Sequence, residues 1–116
     1  MKKTDGVPEE IERVLKNVPG IQYAFIHSSS VKNMENHGPE VDIIVLGGPD
    51  LVEMDEAVSK AEEKTGRPFF ITSFTVREFR ERIRVKDEAI SRTLHGPKIM
   101  LIGDEEKMKI SLSTPA

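Results

Sequence analysis

Apolar residues in this chain come in short runs of two kinds, and the kinds alternate. Ile11, Val14 and Leu15 stand at i, i+3 and i+4 behind Pro8-Glu9-Glu10, the spacing of one helical face. Proline and acids suit a first helical turn, where an N–H is unpaired in any case and the dipole favours negative charge. Pro19-Gly20 ends that helix. Ile21 to Ile26 and Val41 to Leu46 are compact apolar runs that predict strands, the second broken by Gly47-Gly48-Pro49. Asp50 with Glu53 forms a capping box and predicts a helix from near Leu51 to Lys64. Its apolar positions Leu51, Met54, Val58 and Ala61 follow helical spacing, and Gly66 is its C-terminal cap. Phe69-Phe70-Ile71 opens a third strand reaching about Phe74, with both phenylalanines expected in the core. Thr75 and Glu78 form a second capping box before a helix carrying Val76, Phe79 and Ile83. A further helical piece, about Asp87 to Leu94, stops at Gly96-Pro97, and Ile99 to Ile102 read as a last strand. From Gly103 onward the chain is polar, and Ser113-Thr114-Pro115-Ala116 is expected to fray.

The predicted order, αβ(loop)βαβααβ, interleaves helices and strands. It implies an α+β (α/β-like) architecture, a mixed β-sheet with helices packed on one side. The expectation is a single domain over 1–116, with its core at about 7–103 and a polar C-terminal tail at 104–116.

Composition narrows the classes. At 116 residues the chain is long enough for one real core. A formal charge of −3, with 32% charged residues, argues against general binding to nucleic acid. The absence of cysteine excludes disulfides and thiolate metal sites and fits a reducing compartment. No apolar segment follows Met1-Lys2-Lys3 as in a signal peptide, and no run approaches the ~20 residues that span a bilayer. The expected location is therefore the cytoplasm, with no membrane contact.

The chemistry is concentrated in residues 27–42. Glu40 and Asp42 stand at i and i+2 on the approach to Ile43-Ile44-Val45, so a strand projects both carboxylates from one face. Held against a buried strand, such a pair needs a cation, a donor or water. Upstream lies Ser28-Ser29-Ser30-Val31-Lys32-Asn33, small and polar enough to approach a phosphate. Plainer readings stand beside these: the acids as a solvated strand end, the serines as a turn bonding its own backbone. His27 and His37 flank the segment, but a zinc site would need further ligands. His95 precedes Gly96-Pro97, where a helix C-terminus favours it. Arg77, Arg80 and Arg84, joined by Arg82 and Lys86, form a basic stripe, yet Glu78, Glu81, Asp87 and Glu88 are interleaved as in a salt-bridged, solvated helix.

Taken together, residues 24–46 and 66–103 resemble the small nucleotidyltransferase domains of the DNA polymerase beta superfamily, the minimal prokaryotic type. In that family a strand runs into Gly-Ser, a small residue, a basic residue and a second Gly, and an acid pair follows about ten residues later. Here Ala24-Phe25-Ile26-His27 leads into Ser28-Ser29-Ser30-Val31-Lys32-Asn33, and Glu40-Val41-Asp42 follows at the matching distance. The flanks Val76-Arg77-Glu78-Phe79-Arg80-Glu81-Arg82 and Gly96-Pro97-Lys98-Ile99-Met100-Leu101-Ile102-Gly103 fit the family as well. The resemblance implies that Glu40 and Asp42 are catalytic metal ligands for Mg²⁺, a hard cation that takes oxygen ligands. It implies that Ser28 and Ser29 contact phosphate and that Lys32 adds a positive charge beside them.

The active-site motif is degenerate in several places. Ser28 stands where the family has its first Gly, Asn33 where it has its second, and Glu40 where Asp is commoner. No acid in Phe69-Phe70-Ile71-Thr72-Ser73-Phe74 matches the family's third carboxylate. The implied activity is transfer of a nucleoside monophosphate from an NTP to an acceptor. The alternative is a degenerate member serving as a binding or regulatory module, such as an antitoxin-like partner protein. Either way the expected partners are an NTP and a protein, a second polypeptide or another copy of this chain, rather than nucleic acid.

Overall fold

The computed structural model of the chain describes residues 6–27 and 41–113. Among the described residues the chain order is α1 (Val7–Leu15), β1 (Ile21–His27), β2 (Val41–Gly47), α2 (Leu51–Thr65), β3 (Phe69–Phe74), α3 (Val76–Arg84), α4 (Glu88–His95), β4 (Lys98–Ile102) and α5 (Glu105–Ser113). The strands form one sheet in the order β3-β2-β1-β4. β1 is antiparallel to both β2 and β4, while β2 and β3 are parallel. α2 supplies the crossover that a parallel pair requires.

Local chemistry sets the helix ends. Asp50 accepts from the Glu53 N–H at 3.0 Å and opens α2, which closes on Gly66 at φ 73°. Thr75 accepts from the Glu78 N–H at 2.9 Å, and Glu78 reaches back to the Thr75 N–H at 2.8 Å, a reciprocal box that starts α3. Asp87 starts α4 by accepting from the Ile90 N–H at 3.1 Å. At the far end of the β1–β2 ladder, Gly20 and Gly47 have φ of 94° and 141°. A Cβ on Gly47 would lie 2.3 Å from the Gly20 carbonyl oxygen, so the approach of these two backbones requires glycine.

The sheet has a core on each face. Val41, Ile43 and Val45 pack with Ala24, Ile26, Ile11, Leu15, Met54 and Val58, under α1 and α2. Ile44, Leu46 and Phe25 pack with Phe79, Ile90, Leu94, Met108 and Leu112, under α3, α4 and α5. The α+β class and mixed sheet follow the sequence reading. The helices, expected on one side, are divided between the two faces, because β2 is apolar on both of its sides and each side must be covered.

Residues 105–113 are the main departure from the expected polar tail. They form α5, begun by Asp104 accepting from the Lys107 N–H at 3.0 Å. Met108 and Leu112, at i and i+4, turn into the second core, while Ile110 stays 62% exposed. Met108, Ile110 and Leu112 alternate in sequence and so show no helical stripe; only the tertiary contact selects two of them. The frayed segment was expected at 113–116; Ser113 ends α5, and 114–116 lie outside the described residues.

The buried residues include two that are charged, Glu10 and Arg67. Glu10 is 3% exposed and bonds the Arg13 guanidinium, with Lys64 Nζ at 3.7 Å. The Arg13 hydrogen bond, helped by Lys64, holds its carboxyl below the usual 4.5 against the opposing effect of burial.

Two predictions follow from this packing. Met108→Ala lowers stability by about 2–5 kcal/mol in urea unfolding, whereas Ile110→Ala changes it by less than ~0.5 kcal/mol. Equal effects would mean α5 is not docked by its Met108 face. Glu10 has a depressed carboxyl, so its contribution is present above the ordinary glutamate value and lost as pH falls through the depressed one. Glu10→Gln should flatten the acid limb of a stability–pH profile measured below pH 4.5.

Candidate functional site

Asp42 lies near the N-terminal end of β2, beside the C-terminal end of β1. The printed pairing Ile26↔Ile43 places His27 opposite Asp42 on continuing one step along the antiparallel ladder. His27 in turn pairs with Lys98 on β4, and Asp42 with Phe70 on β3. In-register side chains share a face, so Phe70, Asp42, His27 and Lys98 form a row across all four strands, on the face that α3, α4 and α5 cover farther along.

Exposure falls along that row. Phe70 is 56% exposed, Asp42 and His27 are half-buried, and the Lys98 side chain is 1% exposed. The Lys98 ammonium is held by three acceptors: the Leu94 and Gly96 carbonyls at 2.7 and 3.0 Å, and Glu105 Oε2 at 3.2 Å. It lies 5.8 Å from the Phe25 ring centroid. Three acceptors match the three protons of an ammonium, and the arrangement ties the end of α4 and the start of α5 to β4. The Glu105 carboxyl is held below 4.5 by hydrogen bonds from Lys109 and then Lys98. Lys98 is therefore a structural cation that closes the β4 end of the row.

His27 occupies the middle. Its ring meets Phe25 edge-on at 6.3 Å, and its buried Nδ1 has no hydrogen-bond partner among the described residues. Burial pushes its pKa below 6.5; the Asp42 charge opposes that shift and the Lys98 charge adds to it. The row thus carries a carboxylate beside a neutral imidazole, with an exposed aromatic ring on the outer side.

The structure places Asp42 where the sequence reading puts it, on a strand face with a route to solvent. Glu40, Ser28, Ser29 and Lys32 lie outside the described residues, as do Ser30, Asn33 and His37. Among the described residues no group of three His, Cys, Asp or Glu side chains could hold a metal. Asp42 contributes one hard oxygen donor, the kind Mg²⁺ takes. The face of β3 beside it offers Phe70 and Thr72, with no acid.

Three features escaped the sequence reading. Phe69 and Phe70 were both expected in the core, but only Phe69 is there; neighbouring residues of a strand point to opposite faces, which separates the two rings. His27 was weighed only for zinc, and its position opposite Asp42 comes from the β1–β2 register. Lys98 carried no signal beyond a charge at the edge of an apolar run. The basic stripe on α3 is paired with acids at Arg82 and Arg84, whereas Arg80 is half-buried against α5 rather than solvated. Arg84 bonds Glu81 at 2.5 and 3.0 Å, Arg82 meets Asp87 at 3.3 Å, and Arg80 donates to the Ser111 carbonyl at 3.1 Å. His95 is exposed at the last position of α4.

Comparison with known proteins adds one firm result. No family model matches the chain, and no curated protein matches it by sequence. Solved structures do match in three dimensions. MntA from a toxin–antitoxin structure bearing two Asp→Glu substitutions superposes with a TM-score of 0.61 at 15% identity, covering 90% of this chain and 80% of that one. A toxin–antitoxin structure with AMP-PNP gives 0.57 at 15% identity, with the same coverage. The complex of an MNT antitoxin with the tri-AMPylated HEPN toxin of Shewanella oneidensis gives 0.55 at 14% identity, over 91% and 77% of the two chains. The chain has the nucleotidyltransferase fold. At these identities the likeness is one of fold. No described helix is long and apolar enough to cross a membrane.

The histidine is directly testable. Because its folded pKa is depressed, His27 favours folding above the ordinary 6.5 and loses that contribution as pH falls through it toward the lower value. In an NMR titration its ring should show a midpoint below 6.5. Asp42→Asn should lower that midpoint further, by removing a charge that favours the imidazolium. An unchanged or raised midpoint in Asp42→Asn would separate the two side chains.

Proposed function

We propose that this chain is a minimal nucleotidyltransferase of the DNA polymerase beta superfamily that moves a nucleoside monophosphate from an NTP onto a protein partner. The supporting observation is the position of Asp42: a half-buried carboxylate near the start of β2, an inner strand of this fold, next to the end of β1 after which the sequence runs into Ser28, Ser29 and Lys32. The structurally similar MNT antitoxin is described in complex with an AMPylated toxin, and another neighbour with AMP-PNP. These parallels favour ATP as donor and a partner protein as acceptor.

In this reading Glu40 and Asp42 hold Mg²⁺, which when bound neutralises phosphate charge and aligns the displacement. Ser28 and Ser29 bond the phosphate oxygens, and Lys32 offsets their charge. An acceptor oxygen bonds to the α-phosphorus as the bond to the bridging oxygen breaks. Pyrophosphate leaves, and the acceptor proton passes to solvent, since β3 carries no acid beside Asp42. The whole chain acts as one nucleotidyltransferase-like unit in the cytoplasm, and its acidic balance leaves nucleic acid aside.

The test uses the full chain with α-labelled ATP, Mg²⁺ and candidate partner proteins. The expected result is Mg²⁺-dependent labelling of a partner that falls at least ~100-fold in Asp42→Asn, the order of effect seen on losing a group that stabilises transition-state charge. Nucleotide binding without labelling of any partner would instead favour the degenerate binding module.

A further inference from the structure

Among the described residues the row of side chains across the sheet is closed at β4 and exposed at β3. At β4 the Lys98 ammonium is enclosed by the end of α4 and the start of α5. At β3 the Phe70 ring is 56% exposed. A molecule that reaches Asp42 across the outer strand covers that ring.

Phe70 is not a core residue displaced by chance. Phe69, its neighbour, already fills the opposite core. Among the described residues the ring pairs are Phe25 with His27 and Phe74 with Phe79, and Phe70 is more than half exposed. The other large exposed apolar residues, Leu51, Val52, Val85 and Ile110, lie on helices or at a helix end. Among the described residues only Phe70 of these stands on the sheet, in register with Asp42 and about 4.8 Å away in backbone spacing.

A flat apolar ring next to a carboxylate calls for a two-part ligand: an anionic part bridged by a cation to the carboxylate, and a flat aromatic part to cover the ring. A nucleotide has both. We propose that Phe70 is a stacking platform for the base of the bound nucleotide, an inference that rests on the reading of Asp42 as a metal–nucleotide ligand. Stacking needs only a π-face, so the platform accepts every base, and it favours purines through their larger area of overlap.

The chain contains no tryptophan, so Phe70→Trp places a single indole reporter at this position. In Mg²⁺ buffer, ATP should quench its emission saturably, CTP less, and inorganic tripolyphosphate not at all. By calorimetry, Phe70→Leu should bind ATP about tenfold more weakly than the unsubstituted protein, within the range of base–aromatic stacking. Its affinity for tripolyphosphate should be unchanged, and circular dichroism should show an intact fold. Equal losses for ATP and tripolyphosphate, no loss for either, or a loss confined to binding of a partner protein would overturn the platform while leaving the nucleotide site standing. If the unsubstituted protein binds neither ATP nor tripolyphosphate, the reading of Asp42 fails and the platform falls with it.

Discussion

A strand with no solvent-facing side governs this molecule. From Val41 to Gly47, β2 is buried or half-buried at every position, and an antiparallel and a parallel neighbour take its backbone hydrogen bonds. Such a strand can exist only between two layers, so α1 and α2 close one face and α3, α4 and α5 the other. Asp42 is the place where this rule is relaxed. It sits on the face where Ile44 and Leu46 are core residues, one step before the helical cover begins. The site is thus the uncovered end of an otherwise enclosed strand.

Glu10 and Lys98, two enclosed charges on opposite sides of the sheet, are handled alike. Glu10 under α1 meets Arg13 and Lys64, while Lys98 at the edge of the other layer meets two carbonyls and Glu105. Burying a charge is costly unless it is paired and hydrogen-bonded. Both therefore act as specific fasteners: Glu10 links the outer ends of α1 and α2, and Lys98 holds α4, β4 and α5 in one arrangement. The second fastener also sets a positive charge near His27, which adds to the effect of burial in pushing the imidazole pKa below 6.5.

Much of the fold was legible in the sequence because its signals are local. The box at Thr75–Glu78, the cap at Asp50 and the glycine at position 66 act within three or four residues, and each element begins or ends where they stand. What was not legible depends on pairing at a distance. Nothing near Met108 shows that it meets Phe25 and Ile44, so α5 was read as tail. The β1–β2 register that sets His27 against Asp42, and the β2–β3 register that sets Phe70 there, are likewise properties of the sheet. The site was legible as a pattern of residue types in 28–42, and the structure adds its neighbours on the other strands.

The place of β4 has a consequence for assembly. β1 joins β2 as the next strand in sequence, and α2 carries the chain directly from β2 to β3, so three strands can associate through nearby segments. β4 pairs with β1 only after α2, β3, α3 and α4 have intervened. Its closure carries the entropy cost of a long loop, and such non-local pairing slows folding. Phe25, central to the second core, must wait for Met100 and Met108 to arrive from the far part of the chain. The half of the sheet that seals the row beneath His27 is thus the half whose closure costs the most loop entropy.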